Sequence, residues 1–326
     1  MAKKIPVNRF ATVAQQILLG TAPYWGNYVW WHRIWKFSDT HFHNFFTASK
    51  FYNRKIITNY GNLSLLVPRL VPTFNNPLIE LVYQLFQYKK RPLNFIDVGA
   101  AIGDTVLLCE ANCPKMINFY ICIDGDKDFF ALLEYNFSVA QAKGILINSL
   151  LSDKKGCTMP ALVKHHSGSA TAIGENVEST TTIDDVLATN EGLFNKNIDL
   201  IKIDADGFDG LIISGARNIL AKDKPTVIFE WHPILYARTD NDVLLPFKIL
   251  QSLGYKRYIW FNKYGNFSHF TTLLDEDAVT ALQKYALDNV GHDDWHYDII
   301  ALPDSCPLSA TSIAALQYAN RKKYPY

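Results

Sequence analysis

No block of basic residues stands out in this chain, and its net charge is only +1, so it lacks the electrostatic footprint with which proteins grip nucleic acid. Long apolar runs are missing too. Nowhere does the sequence hold the roughly eighteen consecutive apolar residues that a membrane-spanning helix needs, which excludes a membrane span. The basic head Met1-Ala2-Lys3-Lys4 is followed by Asn8, Arg9, Gln15 and Gln16, and these interrupt the apolar core of a targeting segment. Cysteine is sparse: five residues, an odd number at irregular spacing, argue against a disulfide framework. Cys109 and Cys113, four apart on an expected helix, and Cys122, inside an expected strand, read as buried thiols, with a metal pair as the alternative. A reducing, cytoplasmic location is the default expectation.

What the chain does have is apolar content of 48% over 326 residues, enough to bury one large core or two modest ones. Its organising stretch runs from Asn94 to Asp104. There an apolar strand ends on Asp97, turns over Gly99 and Gly103 and opens into a helical pattern at Thr105-Val106-Leu107-Leu108. Strand, tight loop and helix N-terminus let backbone N–H groups approach a ligand, although a glycine pair also serves where backbone merely needs room. About twenty residues on, a second strand, Phe119 to Ile123, ends on Asp124. A carboxylate there can take both ribose hydroxyls of a nucleotide; alternatively Asp124 or Asp126 caps the helix expected from Lys127 to Phe137.

Later strands repeat the pattern. Gly144 to Leu151 ends at Ser152-Asp153, either an adenine contact or an ordinary turn. Ile198 to Asp204 carries Lys202 and Asp204 on one face, and a lysine inside a doubly covered strand requires a carboxylate partner. Thr226 to Pro233 finishes on Glu230 and His232. Asp97, Asp124, Asp204 and Glu230 thus stand at comparable strand ends and should converge on one crevice.

Outside this alternation, residues 24 to 52 are rich in aromatics at near-helical spacing, among them Trp25, Trp30, Trp31 and Trp35. They suggest short helices laid on the main domain as a cap, through packing, with a substrate lid or a membrane-surface helix as the sharper alternatives. Lys55 to Val67 reads as a hairpin around Tyr60-Gly61-Asn62, Leu78 to Tyr88 as a helix, and Leu211 to Leu220 as another. Strands are expected at Tyr255 to Phe261, Phe267 to Leu274 and Tyr297 to Leu302, and a surface helix at Ser309 to Arg321.

Taken in order, Asp97-Val98-Gly99-Ala100-Ala101-Ile102-Gly103-Asp104-Thr105, Ile123-Asp124-Gly125-Asp126, Leu151-Ser152-Asp153, Thr181-Thr182-Ile183-Asp184-Asp185, Leu200-Ile201-Lys202-Ile203-Asp204-Ala205-Asp206-Gly207, Ser214-Gly215-Ala216 and Phe229-Glu230-Trp231-His232 resemble FkbM-type methyltransferases. The resemblance covers roughly residues 55 to 303. It implies an α/β class I methyltransferase (Rossmann-like) fold: seven strands, mostly parallel, with helices on both faces. An N-terminal helical cap would occupy residues 1–54, the methyltransferase domain 55–303 and a tail helix 304–326. It also implies S-adenosylmethionine as cofactor and O-methylation of a sugar, glycan or natural product. Carried over by position, Asp97, Gly99 and Gly103, with Ala101 in the same loop, would line the methionine end; Asp124 would take the ribose, and Ser152 with Asp153 the adenine. Lys202, Asp204 and Asp206 match the segment at the mouth of the substrate site. The chain departs from the pattern at Ala101, Gly125 and Asp206, where asparagine, proline and glutamate are usual.

The chemistry expected of such a site is in-line attack of a hydroxyl on a sulfonium methyl, which asks the protein for alignment and removal of one proton. Asp204 is the first choice as base or its orienter, with Asp206 and Glu230 next and Lys202 holding the carboxylates. A Mg²⁺ shared by Asp204 and Asp206 is the alternative, as hard carboxylates suit it. Two rival functions share the strand, glycine loop and ribose acid: an NAD-dependent Rossmann oxidoreductase, and a non-catalytic homologue that binds cofactor or glycan. Against the first, Asp97 would face a dinucleotide's negative pyrophosphate.

Overall fold

The computed structural model describes residues 5–164, 170–190, 192–193, 196–272, 274–289, 295–309 and 311–313. The chain opens with α1 (Arg9–Trp25), capped by the Asn8 side chain, and α2 (Val29–Phe42). One stripe of each turns inward: Ala11, Gln15, Leu19 and Ala22 from α1, Trp31 and Trp35 from α2. Gln15 is buried but satisfied. Its amide donates to Thr47 Oγ1 at 2.8 Å and Ser49 Oγ at 3.0 Å, and its oxygen accepts from the Gly61 N–H at 3.0 Å. These bonds fasten α1 to an antiparallel hairpin of β1 (Phe46–Phe51) and β2 (Arg54–Asn59).

The hairpin expected around Tyr60-Gly61-Asn62 does not form. β2 pairs backward with β1, and Asn62 caps α3 (Leu63–Leu70) by accepting from the Ser64 N–H. Asparagine favours that capping role over a strand interior. Next comes α4 (Asn76–Lys89), then the alternation β3 (Leu93–Val98), α5 (Asp104–Asn112), β4 (Ile117–Asp124), α6 (Lys127–Ala140) and β5 (Gly144–Asn148). Where one third strand was expected there are two, β5 and the short β6 (Leu150–Leu151). β6 joins β7 (Thr158–Lys164) and β8 (Ala170–Thr181) in a separate three-stranded sheet.

The second half runs α7 (Ile183–Thr189), β9 (Leu200–Ile203), α8 (Asp209–Ser214), α9 (Arg217–Asp223), β10 (Thr226–Trp231), α10 (Pro233–Arg238) and α11 (Leu245–Ser252). It closes with β11 (Tyr255–Asn262), β12 (Phe267–Thr271), α12 (Glu276–Asp288) and β13 (Tyr297–Pro303). The single helix expected over 211–220 is broken at Gly215 into α8 and α9. Most of the helix expected at Ser309 to Arg321 lies outside the described residues.

The main sheet has the order β12-β11-β13-β10-β9-β3-β4-β5. Five neighbours, β10 to β5, are parallel; β13 runs antiparallel between β10 and β11. The sheet therefore has eight strands rather than seven. Alternation along β3 sends Phe95 into one buried cluster, with α5 and α6, and Ile96 and Val98 into the other, with α7 to α9. The chain moves outward from β3 through β4 to β5 and returns to β3's other side with β9. That reversal opens a crevice at the strands' carboxyl ends.

The opposite end of β9 is pinned by Asp199, which is 2% exposed. Arg91 donates to both of its oxygens at 2.8 Å, and the Asn94 N–H donates at 2.9 Å. Asp199→Ala leaves that buried N–H without an acceptor and removes a two-pronged ion pair, so an expected loss of about 3 kcal/mol should appear as a lower urea midpoint. Because Asp199 lies at the end of the sheet away from the crevice, ligand affinity below the transition should stay unchanged.

Candidate active site

β3 and β9 are register partners, with Asp97 beside Lys202, so both side chains leave the same sheet face. Lys202 Nζ stands 3.0 Å from Asp204 Oδ2 and 3.8 Å from Asp97 Oδ1. The partner demanded by a lysine in a covered strand is thus supplied twice. The loop after β3 can close over this pair only because residue 99 is glycine. Gly99 has φ +71°, and a Cβ there would stand 1.9 Å from the Asp204 carbonyl oxygen. The glycine therefore serves backbone room, and it also lines the cleft.

Above the seam lies a cleft of about 320 Å³. Gly99, Ala101, Asp124, Lys202, Asp204, Asp206 and Glu230 all line it. Asp97 is fully buried beneath Lys202, and Gly103, at φ +81°, sits behind the loop as the cap residue of α5. Ser152 and Asp153 lie outside the lining, on the turn after Leu151, where the Ser152 hydroxyl donates to Asp153 Oδ1 at 3.2 Å. Asp124 braces the loops on either side of it and faces the cleft: Oδ2 accepts from the Ala101 N–H at 2.7 Å and Oδ1 from the Asp126 N–H at 2.9 Å. Capping of α6 falls to Asp126.

Burial raises most of these carboxyls. Asp97 is pushed up to about 7 against the pull of Lys202, and Asp124 to about 6 against its two backbone donors. Asp206 and Asp298 rise to about 7, through burial first and the Asp204 charge second. Burial also lifts Glu230 well above the usual carboxylate range, helped by Asp204 and Asp209. Asp204 runs the other way. Burial would raise it, but the Lys202 ammonium and its hydrogen bond hold it below its ordinary value. Half of its side chain, 51%, is exposed, so a fixed anion faces the cleft.

Three wall residues escaped the sequence reading. Asp104, at the start of α5, lines the cleft near Ser64 of α3, and burial raises its carboxyl. His296 places Nε2 3.5 Å from Glu230 Oε1 and stacks on His232 with centroids 5.1 Å apart; Asp298 is the register partner of Glu230. Parallel strands present their carboxyl ends here, whereas antiparallel β13 presents its start. The signal available was the polar alternation of His296 and Asp298 ahead of the apolar run Ile299 to Leu302. Phe129, Leu150, Leu162 and Phe208 form the apolar wall, and Phe51 and Phe74 reach in from the N-terminal elements.

The donor set fits S-adenosylmethionine. Many carboxyls around one ammonium suit a ligand bearing positive charge, the glycine at 99 leaves backbone exposed, and the apolar wall suits an adenine. It fits poorly around a pyrophosphate. For Mg²⁺, no group of three His, Cys, Asp or Glu side chains among the described residues has metal-holding geometry, and the cation beside Asp204 is Lys202. Cys109 and Cys113 are buried, with thiols raised by burial, Cys113 to about 12, which disfavours thiolate ligation.

The chain matches the methyltransferase FkbM domain over residues 97–257. Among solved structures, the FkbM methyltransferase from Methylobacillus flagellatus KT is 16% identical over 73% of this chain and 54% of that one, with a TM-score of 0.40. This chain thus spans about half the length of that protein. The O-methyltransferase TomG from Streptomyces achromogenes, involved in tomaymycin synthesis and solved with S-adenosylmethionine, is 12% identical over 70% and 79% of the two chains, with a TM-score of 0.37. TrmK from M. capricolum, solved with S-adenosylhomocysteine, gives 12%, 71% and 73%, and 0.32. No curated protein matches the chain.

Two substitutions in the glycine loop should act in opposite directions. Gly99→Ala drives a methyl into the Asp204 carbonyl at positive φ, with an expected loss of at least about 3 kcal/mol. Ala101 already sits at φ +42°, a region that glycine and asparagine adopt at lower cost than alanine. Ala101→Gly should therefore raise stability by about 1 kcal/mol, read as a higher urea midpoint at unchanged slope.

Proposed function

The chain carries a methyltransferase FkbM domain, an S-adenosylmethionine-dependent methyltransferase domain, over residues 97–257, and from that premise we propose that the protein methylates a hydroxyl of a sugar, glycan or other natural product. The observation that carries the reading is the cleft's charge: a ring of carboxyls over the β3–β9 seam with Lys202 as the ammonium paired into it. In this proposal Asp124 takes the ribose hydroxyls, and the Gly99–Ala101 loop, backed by Asp97 and Gly103, frames the methionine end. The adenine rests against Phe129 and Leu150, next to the Ser152–Asp153 turn. The division into a cap over 1–54, a methyltransferase domain over 55–303 and a tail over 304–326 belongs to the same proposal. So does a reducing, cytoplasmic setting, supported by five free cysteines.

Bound S-adenosylmethionine supplies an electrophilic methyl on a cationic sulfur. The protein must orient the acceptor hydroxyl and take its proton. Asp204 is anionic, half exposed and fixed by Lys202, so it accepts the hydroxyl's hydrogen bond and orients it. A low pKa makes it a weak proton sink. Asp206, raised to about 7, is matched to neutral pH and is the better final base. Glu230, held against His296, completes the wall on the acceptor side.

Titration calorimetry with S-adenosylmethionine, S-adenosylhomocysteine and NAD⁺ tests the reading. Preferential NAD⁺ binding would end it, and cofactor binding without turnover on a broad panel of hydroxyl acceptors would favour a non-catalytic role. Asp206→Asn should lower turnover about 10²-fold or more while cofactor affinity changes only a few-fold.

Affinity should also depend on pH. Asp124 and Asp206, near 6 and 7 in the free protein, are driven toward ionisation by a cationic ligand. Binding therefore releases protons, and affinity climbs as pH rises to about 7, then levels off. In the free protein these raised values act oppositely on stability: the contribution is complete below about 4 and is lost as pH rises through 7. Calorimetry in buffers of different ionisation enthalpy reads the protons directly; proton uptake on binding would contradict the assignment.

A further inference from the structure

Helices α1 and α2 are apolar on the outside as well as the inside. On α1, Phe10, Val13, Ile17 and Tyr24 follow each other at helical steps on the face opposite Ala11, Gln15, Leu19 and Ala22, and each is exposed, Phe10 by 72% and Tyr24 by 78%. On α2, Trp30, Ile34 and Phe37 form a second exposed stripe, and Phe37 is 67% exposed. The stripes border each other at both ends. Phe10 meets Phe42 with centroids 5.7 Å apart, and Trp25 meets Trp30 at 5.7 Å, with Tyr28 stacked on Trp30 at 6.3 Å.

With Trp25, Tyr28 and Val29 also about half exposed or more, this surface offers on the order of 1,000 Å² of apolar area, well beyond the few hundred usual on a soluble monomer. Packing, the expected reason for the aromatics, accounts for Trp31 and Trp35, both buried, and leaves these side chains unexplained.

Charge decides what covers the face. The first fifty residues hold Lys3, Lys4, Arg9, Arg33, Lys36 and Lys50 against one acid, Asp39, while the whole chain nets +1. Arg33 and Lys36 lie on α2 beside the apolar stripe and are exposed. Between α1 and β1 runs a groove of about 550 Å³ lined by Gln16, Gly20 and Tyr24 together with Lys50 and Arg69. A second copy laid face to face would set these cations against their own images. An anionic bilayer complements both features: interfacial tryptophan and tyrosine sit at headgroup depth, and lysine and arginine pair with acidic lipids.

We propose that the α1–α2 hairpin is a monotopic membrane-docking surface that lays its outer aromatic face on an anionic lipid bilayer. No helix among the described residues is long and apolar enough to cross one, so the hairpin rests in the interface. The proposal is independent of the methyl acceptor.

The test is sedimentation of the full chain with phosphatidylcholine vesicles, pure or with about 30% phosphatidylglycerol. Expected is partition at least about tenfold stronger onto the anionic vesicles, weakening with salt, together with quenching of tryptophan fluorescence by brominated lipid chains. Arg33→Glu with Lys36→Glu should lower partition about tenfold or more, and Phe37→Ser with Ile34→Ser should do so while S-adenosylmethionine affinity, the check on folding, stays unchanged. No partition onto either vesicle would overturn the proposal. So would a lipid-free dimer in sedimentation velocity that the serine variant dissolves, which would give the face to a second copy.

Discussion

The ammonium of Lys202 between Asp97 and Asp204 is the interaction on which the rest of the structure turns. A lysine inside a strand covered on both faces is tolerable only if a carboxylate meets it. Asp97 can meet it only if β3 and β9 are neighbours in the register observed, with Asp97 opposite Lys202. That pairing sets the point where the sheet's winding reverses. Closing the loop above it then requires glycine at 99, because the Asp204 carbonyl occupies the place of any side chain there. One buried charge thus constrains the strand order, the loop and the position of the cleft.

Five further carboxyls of the cleft wall gather about this seam, from Asp104 and Asp124 on one side to Asp206, Glu230 and Asp298 on the other. Lys202 is the ammonium paired into them, and it neutralises Asp204 first. The others sit in low dielectric beside a fixed anion, so they hold protons at pH values where free carboxyls have lost them. A site of this kind stays near neutrality by keeping protons, which a cation could displace. Ligand recognition and the cost of assembling the site are therefore two aspects of the same electrostatics, and a group such as Asp206 acquires a proton affinity suited to neutral pH from its surroundings.

Much of the fold could be read from the sequence, because parallel strands advertise themselves as apolar runs ending in polar residues. β3, β4, β9 and β10 are legible in this way, and with them the acids and the lysine near their ends. What stayed hidden depends on tertiary pairing. His296 and Asp298 enter through an antiparallel strand, whose start reaches the cleft, and no rule about strand ends would select them. The pairing of β2 with β1 rather than with the residues after Gly61 was decided by an asparagine cap. The antiparallel pair β7–β8, where no strand is expected, carries Met159 and Leu162 into the apolar wall. At position 101 the sequence shows a departure from the family pattern; the backbone gives it meaning, since the usual asparagine tolerates the positive φ that Ala101 must adopt.

The N-terminal elements are tied to the glycine loop by hydrogen bonds as well as packing. Asn136 of α6 is fully buried; its oxygen accepts from the Ile57 N–H at 2.9 Å, and its amide donates to the carbonyls of Ile57 at 2.8 Å and Ile102 at 2.7 Å. Ile57 belongs to β2 and Ile102 to the loop between Gly99 and Gly103. Gln15 of α1 joins β1 and Gly61 in the same manner. A buried amide that loses one partner forfeits more than a surface one, since no water replaces it. The chain of bonds from α1 through the hairpin to Ile102 is therefore costly to break at any link. Through these bonds α1 and the β1–β2 hairpin are joined, by way of Asn136, to the loop that frames the cleft.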